Sequence, residues 1–177
     1  MLNRLKTLFH HRWLDAAHTR RVLNPTTVQR LAQRVSASEQ RHTGEVRICV
    51  EASLPMSYLW RHTWHGQSMR AVVRQRALSL FGKLQVWDTE HNNGVLIYLL
   101  LAERSIEVVA DRGLNRAVAP EQWQALLGRL ASDLQAGRFE QGLTLALDEV
   151  SALLVSHFPA PSGASRANEL PNAPVLL

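Results

Sequence analysis

Asp111 is the first residue whose type and position suggest chemistry. It follows the apolar run 106–110 and precedes Arg112-Gly113. An acid at the carboxyl end of a strand sits where open α/β sheets place ligands. An Asp ahead of a Gly is equally an ordinary turn former, through its side-chain bond to the backbone. Asp88 and Glu90 lie two apart in W-D-T-E-H-N-N-G, residues 87–94. Hard divalent cations take several carboxylate or carbonyl oxygens, so Asp111, Asp88 and Glu90 form the candidate ligand set for Ca2+ or Mg2+. The spacing matches no EF-hand loop, and a solvated loop is the plain alternative.

His62 and His65 form an H-x-x-H between Trp60 and Trp64. On a helix they would share a face, but a transition metal would need a third ligand from elsewhere. The same stretch, with Tyr58 and Arg61, can instead stack bases or offer aromatic anchors to a protein. Nucleophilic catalysis has no support: G-x-S-x-G, the phosphate-binding glycine loop and G-x-G-x-x-G are all missing from the sequence. The single cysteine, Cys49, falls in an alternating run that reads as a strand, where a buried inert thiol is expected. It also excludes an intrachain disulfide framework.

These residues must be held by a chain of 177 residues, the size of one domain with a real core. Residues 1–87 carry 14 Lys and Arg against 4 Asp and Glu, a net +10, while residues 88–177 carry 6 against 11, a net −5. The basic half can face an anionic partner, with Arg12, Arg20, Arg21 and Arg61 as expected contacts. Eighteen of the 20 basic residues are Arg, which is also consistent with a habit of composition and a merely solvated surface. Nucleic acid is the weakest of the anionic partners, since no reader motif is present. The longest apolar run, 95–102, suits a strand and is far short of a bilayer span. The first residues lack the continuous apolar core of a signal peptide. The expected location is cytoplasmic, with peripheral contact at the inner membrane face left open.

The positioning elements follow from periodicity. Residues 1–22 read as a mildly amphipathic N-terminal segment. Asn24-Pro25 is a helix start, followed by Val28, Leu31, Ala32 and Val35 at helical spacing to a stop near Gly44. Val46, Ile48 and Val50 alternate with Arg47, Cys49 and Glu51, a strand. Residues 56–65 have no clear period. Met69, Val72, Val73, Ala77 and Leu80 make a second helix. Strands at 95–101 and 105–110, three residues apart, must form an antiparallel hairpin. A fourth strand is sought in 54–65 or 84–88. Two helices follow, one from Pro120 with Trp123, Leu126, Leu127, Leu130 and Leu134, and one from about Phe139. Residues 160–177, with further prolines and no period, read as a disordered tail. The fold class is α/β: a three-layer α/β/α sandwich around a small mixed sheet.

Several separated segments resemble the TPM domain family, also called YgcG-like. They are T-G-E-V-R-I-C-V at 43–50, R-A-L-S-L-F-G at 76–82, N-G-V-L-I-Y-L-L at 93–100 and I-E-V-V-A-D-R-G at 106–113. Trp123, F-E-Q-G-L at 139–143 and H-F-P at 157–159 continue the series, giving a TPM-like domain over 23–159. The resemblance implies an α/β/α sandwich and puts Asp111 on the family's A-D-x-G signature. It implies weak acid phosphatase activity, attributed to a plant thylakoid member, and binding of calcium or another divalent ion by some members. Bacterial relatives accompany LemA-type membrane-associated proteins, so a partner of that kind is implied. Many relatives carry a signal peptide and a membrane segment; this chain resembles the short soluble form.

Two functional classes therefore stand. One is a non-enzymatic interaction module acting with a membrane-associated protein partner, with anionic lipid contact as an additional element. The other is a weak, divalent-ion-dependent phosphatase acting on phosphomonoesters.

Overall fold

A computed structural model describes residues 16–161 and 168–177. The 15 N-terminal residues of the amphipathic segment, Arg12 among them, lie outside the described part.

The chain opens with helix α1 (Ala16–Val22) and helix α2 (Pro25–Glu39). Asn24 caps α2 as its sequence predicts: Oδ1 accepts from the Thr27 amide at 2.9 Å. The helix ends at Glu39, five residues before Gly44. Strand β1 (Val46–Glu51) leads into α3 (Met56–Thr63) and α4 (Met69–Lys83), and the hairpin β2 (Val95–Leu100) and β3 (Ser105–Ala110) follows. The short α5 (Arg112–Ala117), then α6 (Pro120–Gln135) and α7 (Phe139–His157), precede a last strand, β4 (Val175–Leu176).

The sheet has the order β3-β2-β1-β4. β1 runs parallel to β2 with Cys49 opposite Tyr98, and β2 pairs antiparallel with β3 with Tyr98 opposite Glu107. The hairpin and the mixed sheet agree with the sequence reading. The fourth strand is in neither place where it was sought. Residues 56–63 are helical, and β4 pairs parallel with β1 at Cys49↔Val175 and Val50↔Leu176.

Residues 168–177 thus depart from the expectation of a structureless tail. Leu170 is buried in the core beneath α3 and α4, and its amide donates to Glu45 Oε2 at 3.2 Å. The Leu177 amide donates to the Val50 carbonyl, and the Leu177 carbonyl accepts from the Ala52 amide. Prolines and a missing period concealed this segment because it holds on by a few anchors rather than by a repeating face.

Alternation along the strands divides the interior in two. Val46, Ile48, Val50, Val95, Ile97 and Leu99 point to one face and pack with Leu31, Leu126, Leu130, Leu143, Leu147 and Leu154 from α2, α6 and α7. Cys49, Leu96, Tyr98, Leu100 and Val109 point to the other, under Leu59 of α3 and Val72, Val73, Ala77 and Leu80 of α4. Each fully buried Leu or Val contributes about 1.5–3 kcal/mol relative to exposure.

Candidate functional site

The face beneath α4 holds ionisable groups among its apolar residues. Glu51 ends β1 and Tyr98 sits beside it on β2. Arg76 lies on the buried stripe of α4, between Val72 and Val73 on one side and Ala77 and Leu80 on the other. Arg76 donates from Nε to Glu51 Oε2 at 2.9 Å and from Nη2 to Oε1 at 2.6 Å, a two-pronged buried pair. The Tyr98 hydroxyl donates to Glu51 Oε2 at 2.7 Å. Burial opposes the Arg76 charge, yet the Glu51 carboxylate outweighs it and holds the guanidinium above its ordinary pKa. Burial, then the Glu51 charge, raises the Tyr98 hydroxyl. Burial, reinforced by Glu51, pushes the Cys49 thiol up to about 12, so Cys49 is a protonated, inert thiol.

A second arginine of α4 pairs with a carboxylate two strands from β1, in a half-exposed single contact. Arg74 Nη1 lies 3.2 Å from Glu107 Oε2 on β3 and donates to the Val108 carbonyl at 2.7 Å. Burial raises the Glu107 carboxyl pKa, and Arg74 opposes that shift. The signal for both pairs was present in the sequence: Arg76 interrupts an apolar helical stripe, and Glu51 and Glu107 lie in buried strands. Charges so placed need partners.

The acidic candidates are placed differently. Asp111 caps α5, with Oδ1 accepting from the Arg112 amide at 2.6 Å, and its second oxygen, Oδ2, is buried without a hydrogen-bond partner. The loop preceding β2 folds against it. The Gly113 amide donates to the Asn92 carbonyl, and a Cβ at Gly113 would come within 2.5 Å of that oxygen, so glycine is required for the approach. Asp88 and Glu90 are exposed in this loop, and the Glu90 amide donates to Glu169 Oε2 at 2.9 Å. Among the described residues, no three His, Cys, Asp or Glu side chains gather as a metal site. His62 Nδ1 bonds the Gln67 carbonyl at 2.8 Å, and His65 lies beyond the end of α3, so the pair does not share a helix face.

The largest departure from an ordinary surface is on α3. Met56, Trp60 and Trp64 follow one another at four-residue spacing and are 66%, 51% and 72% exposed. The two indoles stack on each other, with centroids 4.4 Å apart and planes 4° from parallel. α3 is anchored from below by buried Leu59 and by the Tyr58 ring, over which lie the guanidinium groups of Arg61 at 4.8 Å and Arg76 at 5.4 Å. α4 continues the pattern, since its outward positions include Ala71, Leu78 and Gly82. Arg20 and Arg21 are exposed on α1, whose following residue, Leu23, belongs to the opposite core. They therefore do not share the α3–α4 layer with Arg61. No described helix is long and apolar enough to cross a membrane.

Comparison with known proteins agrees with this architecture. The solved NMR structure of BA42 protein from the psychrophilic bacterium Bizionia argentinensis superposes with a TM-score of 0.70 at 23% sequence identity, covering 86% of this chain and 94% of that one. That likeness is one of fold. No curated protein matches the chain. The family model described as the TPM domain matches residues 17–153, which is most of the sequence and includes most of both cores, the buried Glu51–Arg76 pair and Asp111. The chain belongs to the TPM domain family.

Proposed function

We propose that this TPM domain is an interaction module acting with a membrane-associated partner, rather than a dedicated hydrolase. The observation that carries this reading is the exposed Met56-Trp60-Trp64 ridge of α3. Large apolar side chains stacked in solvent are the composition of a contact surface, where Trp, Met and Arg are enriched. The perturbed groups of the interior support the same reading. Glu51, Arg76 and Tyr98 consume one another's hydrogen bonds in a buried cluster, an arrangement that stabilises a fold and leaves no base free for a substrate.

A second reading, a weak phosphatase dependent on Ca2+ or Mg2+, draws on one observation. The buried, unpartnered Oδ2 of Asp111 is the kind of oxygen a cation would satisfy. Asp88 and Glu90 of the neighbouring loop are the other acids this reading offers. No three-ligand group gathers around it among the described residues, so this reading rests on Asp111. Hydrolysis of p-nitrophenyl phosphate with added Ca2+ or Mg2+, by wild type and Asp111→Asn, separates the two readings. The module reading expects equal, background-level rates for both proteins. Ion-dependent turnover that Asp111→Asn abolishes while the fold persists would replace it with the phosphatase.

A further inference from the structure

We infer that the outward face of the α3–α4 layer docks on an anionic lipid surface, with Trp60 and Trp64 entering the headgroup region. This deepens the module reading and rests on it. Between Glu51 and Asp88 the chain has no acidic residue, while it carries Arg61, Arg70, Arg74, Arg76 and Lys83. That interval makes up the whole of α3 and α4. Arg74 and Arg76 are spent inward on Glu107 and Glu51, leaving Arg61, Arg70 and Lys83 exposed. The outside of the layer is thus a basic field without a negative charge of its own.

The apolar part has the shape for a bilayer. Helices that cover a sheet normally turn charged residues to water. Here α3 turns out Met56, Trp60 and Trp64, and α4 turns out Ala71, Leu78 and Gly82. Trp87, just after α4, is also exposed, so among the described residues the exposed Trp are Trp60, Trp64 and Trp87, all within this interval. The stacked indoles form a projecting ridge, which a fluid surface can accept without a complementary groove. Tryptophan favours the headgroup boundary, where its ring is buried and its N–H stays wet. Arginine and lysine above anionic lipid add a long-range attraction that decays within a Debye length. Apolar insertion and charge attraction together are the combination that holds a protein at a membrane without a spanning helix.

The test is sedimentation of the full chain with phosphatidylglycerol/phosphatidylcholine vesicles and with phosphatidylcholine alone. Each is measured at about 0.05 M and about 0.3 M salt, between which screening of surface charge rises steeply. Wild type is expected to bind the anionic vesicles at least about tenfold more tightly than the neutral ones, with affinity falling severalfold at the higher salt. Trp60→Ser with Trp64→Ser, both exposed and therefore compatible with an unchanged melt, is expected to lose about tenfold or more of that binding. Wild-type indole fluorescence should shift to the blue on anionic vesicles, and this shift should shrink in the double variant. Arg61→Gln with Lys83→Gln should remove most of the salt dependence. Absence of wild-type binding at low salt overturns the proposal and leaves a protein as the partner of the ridge. Undiminished, salt-sensitive binding by the tryptophan double variant overturns it as well, because the contact then lies elsewhere in the basic half. Neither failure touches the hydrolysis comparison that decides the module reading.

Discussion

The two helical layers differ on both their surfaces. Under α6 and α7 the sheet shows only apolar side chains such as Ile48, Val50, Ile97 and Leu99. Outside, these helices carry ordinary exposed ion pairs, Arg129 with Glu149 and Arg138 with Asp133. Under α3 and α4 the sheet shows Glu51, Cys49, Tyr98 and Glu107, and α4 spends two arginines on the carboxylates. Outside, that layer sets large apolar side chains among a few cations and is free of acids. One layer therefore supplies stability in the usual way, dry within and charged without. The other is inverted, with charges fixed inside and apolar area left in solvent. Such an inversion has a cost in stability, which the proposed contact surface would account for.

The largest effect that sharpens this contrast is on the dry side. Ile97 is fully buried in the core under α6 and α7. Ile97→Asp should abolish the cooperative melt at ordinary temperature, because an unpaired buried carboxylate costs several kcal/mol. A shift of less than about 3 °C in Tm, roughly 1 kcal/mol for a domain of this size, would show that this face tolerates charge after all.

On the polar side, Arg76→Ala leaves Glu51 buried without its cation. The expected loss is about 3–5 kcal/mol in denaturant unfolding, the usual result of breaking one partner of a buried pair. Arg76→Met together with Glu51→Leu removes both charges and should recover most of that loss. If Arg76→Ala costs under about 1 kcal/mol, the pair is solvated like a surface bridge and the contrast between the faces weakens.

Deleting residues 168–177 should cost about 2–3 kcal/mol. The deletion removes buried Leu170 and the main-chain bonds of β4 to β1. An unchanged unfolding midpoint would mean that this segment does not hold the edge of the sheet in solution.

The smallest change is chemical. Cys49 should resist a thiol reagent at pH 8 in the native state and react at once in denaturant. Burial and the nearby Glu51 place its pKa at about 12, which lowers the thiolate fraction at that pH by about a thousandfold relative to an ordinary cysteine. Rapid native labelling would show that the polar face opens.

What the sequence disclosed and what it hid follow the same physics. The alternation of Val46, Ile48 and Val50 and the stripe Leu126, Leu130 and Leu134 each report burial on one face, so β1 and α6 were legible from period alone. The stretch 56–65 had no period to read, because α3 buries only Leu59 and turns its large side chains outward. Arg76 interrupts an apolar stripe, where a charge signals an acid facing it. β4 offered two residues and no repeat, and its place was fixed by Leu170 and backbone bonds from distant parts of the chain. Asp111 was visible through its position after β3, and the structure gives it the turn-forming role as an N-cap while leaving one oxygen unsatisfied.

The inverted layer as the contact face is the central claim, and amide hydrogen exchange with and without anionic vesicles tests it most directly. Exchange should slow across residues 56–83, most in α3, whose single buried residue leaves it prone to local opening when free. Exchange in α6 and α7 should stay unchanged. Protection that falls on residues 120–157 while α3 and α4 exchange as before would contradict the account.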